Sequence, residues 1–272
     1  VLAAVRAWRP DFFKARVVEA GHLASLGRTV EALWPYGPAF VYAVAECLDG
    51  IAEAENADLA FFRDIEADAL ADFSGLTEFG FERVAGFPLA RLTLEWDRFE
   101  GYLGALKAKR RNNVRRRRQK LEAPEARVAV IQDYAPYAAR LAELWTQVAI
   151  NNKGYAHERL TPAYFEHMAR SLGDRSHVVA IFVRDRIAAF GLNLIGDDEY
   201  SGVTEGLDYS LRDEYDLYGN NMFEAIGVAC ALGKKRLQLG VTSYDFKTSI
   251  GATCEPCDYF VKARANPDFT KA

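Results

Sequence analysis

EYSGVTEGLDYSLRDEYDLYGNNMFEAIGVACALGKKRLQLGVTSYDFKTSIG, residues 199–251, orders its elements as strand, polar loop, helix, strand and short helix. Residues 200–207 read as a strand, whereas LRDEYDLYG at 211–219 is too polar and too rich in turn formers to continue it. A helix start is read at Asn221, which caps with Glu224 at the third helical position. Met222, Phe223, Ile226, Ala229 and Cys230 follow at helical spacing. Gly233 ends that helix, two lysines and an arginine complement its carboxyl end, and residues 237–239 begin another strand. The polar loop therefore points at a helix amino terminus, a place suited to an anionic group.

Working outward, residues 177–184 and 187–195 read as paired strands joined at Asp185-Arg186. Before them come a strand at 128–131, a helix at 134–150 with Leu141, Leu144, Trp145 and Val148 inward, and a helix at 162–172 capped by Thr161. Residues 97–123 read as one long helix with Phe99, Tyr102, Leu103 and Leu106 on one face, closed by Pro124. Nearer the start, strands are expected at 15–19, 58–63, 81–84 and 89–94, with helical segments within 30–55 and at 66–73. The pattern is α/β with a mixed sheet. It divides into an N-terminal half at 1–96, a basic connecting helix at 97–124 and a C-terminal half at 125–272.

At 272 residues, half of them hydrophobic, the chain has enough apolar side chain for a substantial core. A net charge of −4 gives the whole molecule no strong pull toward nucleic acid or membrane. Four cysteines are too few for a disulfide scaffold at this length and favour a reducing, cytoplasmic setting. Apolar runs are broken well before the length of a membrane span, so the chain reads as soluble. It opens on Val1 rather than methionine, which points to residues in front of it.

Several clusters carry chemistry. Lys107, Lys109, Arg110, Arg111, Arg115, Arg116, Arg117, Arg118 and Lys120 lie on the expected long helix. They read either as a solvated linker or as a surface for the phosphates of a nucleotide-linked substrate, CoA or RNA. No aromatic interleaving accompanies them, so base stacking is not expected. Lys247, near the carboxyl end of a strand, and Tyr244 read either as a surface lysine with a packed tyrosine or as a cation that neutralises a phosphate or oxyanion beside a phenol that passes a proton. Glu205, near a strand end, reads either as an exposed strand-end acid or, if burial raises its pKa, as a general base. Lys153 and Tyr155, between two helices, are either substrate contacts or part of a helix cap with Gly154. Cys254-Glu-Pro-Cys257 is a single pair without a second pair or nearby histidines, so no metal is expected. No P-loop and no GxGxxG follows a strand, which leaves nucleotide hydrolysis and hydride transfer unsupported.

The chain resembles the GNAT acyltransferase superfamily, in the branch similar to FemAB peptidoglycan aminoacyltransferases and the BioF2-like acetyltransferase domain. DRFEGYLGALKAKRRNNVRRRRQKLE at 97–122, AAFGLNLIGDDEYSGVTEGLDYS at 188–210, the helix at Asn221 and TSYDFKTSIGA at 242–252 carry that resemblance. It implies a GNAT fold with two tandem GNAT-like halves, the second holding the active centre. The implied reaction moves an acyl or aminoacyl group to an amine by direct attack, with Lys247, Tyr244 and Glu205 as catalytic residues. The loop bearing Arg212, Tyr218, Asn220 and Asn221 would face the donor, and Lys153, Tyr155, Arg115 and Arg116 would contact substrate. The family's pyrophosphate loop, Q/R-x-x-G-x-G/A, should fall at 211–220, yet that stretch has one glycine, with Asp213 and Glu214 beside Arg212. Acyl-CoA and aminoacyl-tRNA both stay open as donor substrates, with no tightly bound cofactor. A small-molecule amine or a cell-wall-type precursor is the expected acceptor. The alternative is an inactive GNAT-like module that binds RNA or an acidic partner through its basic helix.

Overall fold

A computed structural model describes residues 15–21, 27, 37–152 and 159–264. The chain forms two compact units. One takes residues up to Pro88 and again from Pro256 onward, and the other takes Leu89–Glu255. The borders therefore differ from those read at 96 and 124: the basic segment belongs to the second unit, and the end of the chain returns to the first.

The first unit holds a sheet of β1 (Val17–Ala20), β2 (Leu59–Glu66), β11 (Cys257–Ala263) and β3 (Glu82–Ala85), in that spatial order. Only β1 and β2 are parallel. Helix α1 (Gly37–Ala54) buries Val41, Ala45, Leu48 and Ala52, a helical spacing that makes one apolar stripe. The stripe joins a cluster that includes Phe62, Phe73, Phe81 and Phe260. The helix expected at 66–73 shortens to α2 (Leu70–Phe73), because Ile65 is fully buried and the strand runs through Glu66.

The second unit is built on a seven-stranded sheet. Its order is β10 (Thr253–Glu255), β4 (Leu89–Thr93), β9 (Arg236–Gly240), β8 (Glu199–Leu207), β7 (Arg186–Ile195), β6 (Ser176–Val183) and β5 (Ala126–Ile131). Every neighbouring pair is antiparallel except β8 with β9. Helices α5 (Ala138–Asn151) and α6 (Pro162–Leu172) pack Leu141, Leu144 and Phe165 against Val178, Phe190 and Leu192. A second cluster sets α3 (Phe99–Ala105) and α7 (Leu217–Ala231) against Tyr200 and Leu237. The β6–β7 turn uses Arg184 and Asp185, both left-handed at φ 49° and 60°, one residue earlier than the sequence reading. Two successive positive φ values match the twist of a two-residue hairpin.

The single helix expected at 97–123 is two. Leu106 and Lys107 are extended, each with ψ 143°, between α3 and α4 (Ala108–Arg118). Gly101 and Gly104 weaken the helix before the break. Arg111 Nη1 then donates to the freed carbonyls of Gly104 and Leu106, each at 3.0 Å. The break re-aims α4 so that Val114, its one buried residue, enters the core. Among the described residues no helix is long and apolar enough to cross a membrane.

Close packing across the sheet makes Gly206 a sensitive position. A methyl group there would stand 2.2 Å from Phe190 Cε1 and 2.8 Å from Leu144 Cβ. Gly206→Ala is expected to destabilise the protein by about 1–3 kcal/mol, read as a lowered urea midpoint.

Candidate active site

The parallel β8–β9 pair decides where the site lies. Their ladder spans only Glu199, Tyr200 and Ser201, opposite Arg236, Leu237 and Gln238, and beyond it β8 continues to Leu207 without β9. The paired end is fastened by charge. Arg91, 5% exposed, donates to Glu199 at 2.9 Å and to Glu255 at 2.6 Å, and Arg236 lies 3.5 Å from Glu199. Removing Arg91 leaves Glu199 without its buried partner, so Arg91→Ala is expected to cost about 3 kcal/mol in chemical denaturation.

Past the fastening, a register shift between β7 and β8 makes Gly202 oppose Asn193 and Thr204 oppose Leu192, leaving Val203 as the extra residue. The shift brings Glu205 opposite Gly191. Directly opposed residues share a sheet face, and the bare face of Gly191 meets α7: a methyl there would be 2.6 Å from Asn221 Oδ1. Glu205 is thus half-buried on the α7 side of the opening.

The end of β9 is strained. Gly240, Thr242 and Ser243 have φ of 74°, 64° and 48°, and a β-branched threonine rarely adopts that conformation. This turn launches α8 (Tyr244–Ser249) and buries Lys247 to 3% exposure, with Nζ donating to the Val241 carbonyl at 2.7 Å. Burial pushes the Glu205 carboxyl up to about 6, against the opposing pull of the Lys247 ammonium. Burial likewise brings Lys247 down to about 8, against the pull of Glu205. Each group thus holds the other nearer its charged form. Tyr218 and Tyr209 also feel Glu205: burial and then its negative charge push both phenols up. The Tyr218 side chain is hydrogen-bonded to Ser243 and the Tyr209 side chain to Asn151. Beside them an open cleft of about 450 Å³ is lined by Tyr218, Ser243, Tyr244, Asp245 and Phe246.

The structure thus brings together Glu205, Lys247, Tyr244 and Tyr218 from the sequence reading. Others lie elsewhere. Asn221 is not a helix cap: α7 begins a turn earlier, at Leu217, and Asn221 Nδ2 donates to the Val179 carbonyl at 3.0 Å. Asn220 is fully buried, donating to the carbonyls of Tyr215 at 2.7 Å and Arg117 at 3.0 Å. The two asparagines therefore fasten α7 to the sheet and to α4. Arg212 is half-buried, paired with Asp213 at 2.8 Å and set over the Tyr209 ring. Arg115 and Arg116 are exposed, with Arg116 bonded to Asn113. Lys153 and Tyr155 lie outside the described residues.

The basic run divides between two environments. Arg117 reaches Asp216 at 2.8 Å and lies over Phe246, while Arg118 reaches Glu224 at 2.9 Å and lies over Phe99. Tyr209, Ser243 and Arg117 are site residues that sequence reading did not single out. Tyr209 follows the strand closely enough to have been suspected, but nothing local marks Arg117 among its neighbours. Cys254 and Cys257 form no disulfide among the described residues, and among those residues no group of His, Cys, Asp or Glu could hold a metal. His177 is buried against the Tyr200 hydroxyl, and burial pushes its imidazole down.

The parallel strand pair opens beyond three residues, with a half-buried carboxylate in the opening, and the family match makes the chain an acyltransferase-class domain. The chain is a member of the GNAT acetyltransferase domain family, whose match covers residues 108–248. Over 98% of its length it is 28% identical to the putative 8-amino-7-oxononanoate synthase 2 of Mycobacterium tuberculosis (strain ATCC 25618 / H37Rv), and it spans 35% of that relative's length. Two solved structures share the fold. FemX does so with a TM-score of 0.59 and 12% identity over 93% of this chain and 82% of that one. L-PGS from Bacillus licheniformis does so with a TM-score of 0.58 and 12% identity over 87% and 76%.

Proposed function

We propose that this domain transfers an acyl or aminoacyl group from an activated ester or thioester to an amine by direct attack. The amine nitrogen bonds to the donor carbonyl, Glu205 takes the proton it sheds, and the bond to the donor's oxygen or sulfur breaks as that atom leaves. The observation that carries this reading is the half-buried Glu205 carboxylate in the strand opening, which feels the charge of the buried Lys247. A carboxyl held at about 6 is ionised at neutral pH yet basic enough to accept a proton. Lys247 acts chiefly by its charge, which keeps Glu205 ionised, and by its bond to Val241, which anchors the turn. Tyr218 and Tyr244 line the cleft, and in this reading one of them hands a proton to the leaving group.

Acyl-CoA and aminoacyl-tRNA both present the required carbonyl, and a small-molecule amine or cell-wall-type precursor supplies the nucleophile. The test is a mass-spectrometric screen that offers one amine panel with acyl-CoAs and, separately, with charged tRNAs. Acylated product from either set supports the reading, and product from neither overturns it. A second reading, a binding module for RNA, is favoured by Lys107, Lys109, Arg110 and Arg115. These are exposed and form no ion pair among the described residues. Steeply salt-dependent RNA binding without turnover would select it.

A further inference from the structure

The first turn of α7 lies under a roof of side chains that direct acyl transfer does not itself require. Asp216, just before the helix, has a left-handed backbone (φ 47°, ψ 49°) and makes no side-chain capping bond. A residue in the usual capping role is extended and bonds the first-turn N–H groups. Here the carboxylate turns instead to Arg117, whose Nη1 donates to its two oxygens at 2.8 and 2.9 Å. The guanidinium in turn lies 5.2 Å from the centroid of the Phe246 ring.

All three groups converge on Gly219. A methyl there would stand 3.0 Å from Asp216 Oδ1, 3.2 Å from Arg117 Nη1 and 3.4 Å from Phe246 Cζ. Asn220 holds the Arg117 carbonyl at 3.0 Å, so the arginine is pinned by its backbone as well as by its charge. Arg117 Nε is enclosed without an acceptor among the described residues, so the guanidinium has donor capacity that Asp216 does not use.

A helix amino terminus attracts anions through its unpaired N–H groups and its dipole. In this chain Asp216 supplies a negative charge there in cis, and Arg117 and Phe246 cover the space above it. An incoming diphosphate would meet the charge of Asp216 and would have to displace it from Arg117. Asp213 and Glu214 in the same loop add to the repulsion.

We propose that Asp216 and Arg117 are specificity-determining residues: together they close the amino end of α7 to a diphosphate and select against donors that carry one. This rests on the acyl-transfer reading and deepens it, because it assigns the donor to a chemical class, an acyl ester with no diphosphate arm against α7.

The test reads binding rather than turnover. Isothermal calorimetry is run on the whole chain with CoA and, separately, with inorganic pyrophosphate, and no acceptor is present. The wild type is expected to bind neither more tightly than about 1 mM. Asp216→Asn removes the charge while keeping a residue that tolerates the left-handed backbone. It is expected to bind both ligands about tenfold more tightly or better, through the charge-assisted bonds that Arg117 then has free. Adding Arg117→Gln should abolish that gain. Thermal melts report the fold of each variant, and Asp216→Gly replaces Asp216→Asn if the latter does not fold. Submillimolar binding by the wild type, no gain in a folded Asp216 variant, or a gain that survives loss of Arg117 overturns the proposal. A donor screen that yields no product while these binding results hold counts against the transfer reading alone.

Discussion

Glu205→Gln lowers kcat/KM by about 10²–10⁴-fold with whichever donor the domain accepts, while circular dichroism and the melting temperature stay near wild type. The amide keeps the shape of the side chain and cannot take a proton from the attacking amine. The wild-type profile should have an acid limb near pH 6, where Glu205 becomes protonated, and the variant should lack it. An unchanged rate in Glu205→Gln, or an acid limb that survives the substitution, removes Glu205 from the role of base.

Lys247→Met moves that acid limb to higher pH by about 1 unit or more, since the opposite charge that holds the carboxyl down has gone. At pH 7 the loss of rate then arises from protonation of Glu205, and raising the pH should recover part of it. A purely structural lysine would lower the rate equally at every pH, so the profile separates the two cases. The pair also leaves a mark on stability. Between the ordinary carboxylate range and about 6, the native Glu205 holds a proton that the unfolded chain has lost, so stability falls as pH rises through that window. Between about 8 and the ordinary lysine range, the unfolded chain holds the proton and native Lys247 does not, so stability rises with pH there. Both charges therefore weaken the fold near neutral pH, and each substitution should reduce its own part of that pH dependence.

Most of the second unit was legible in the sequence because its strands are apolar runs between clear turns. Residues 177–184, 187–195 and 200–207 all lie within the observed strands to within a residue or so. The errors fell where tertiary contacts override local pattern. Asn221 has the residue type of a helix cap, yet its amide is taken by the Val179 carbonyl across the sheet. The break at Leu106 and Lys107 has only two glycines before it as a local sign, and what stabilises it is Arg111 folding back on the freed carbonyls. Glu205 and Lys247 were legible as residue types near strand ends. Their mutual influence was not, because it depends on the extra residue at Val203 and on the strained turn at Thr242 and Ser243. Arg117 could not be picked from a run of four arginines, since only the pitch of α4 decides which of them turns inward.

The return of the chain to the first unit has a consequence for how the protein is made. Among the described residues β3 pairs only with β11, and β11 separates it from β2. During translation β3 is therefore finished long before its partner exists, and at about 5–20 residues per second the wait is on the order of 10–30 s. The second unit, continuous from Leu89 to Glu255, is synthesised within that interval. A released chain cut short before Cys257 would carry the whole second unit joined to a sheet with unpaired edges. Such a chain would be removed by quality control because of its first unit, although every residue assigned to chemistry was already in place.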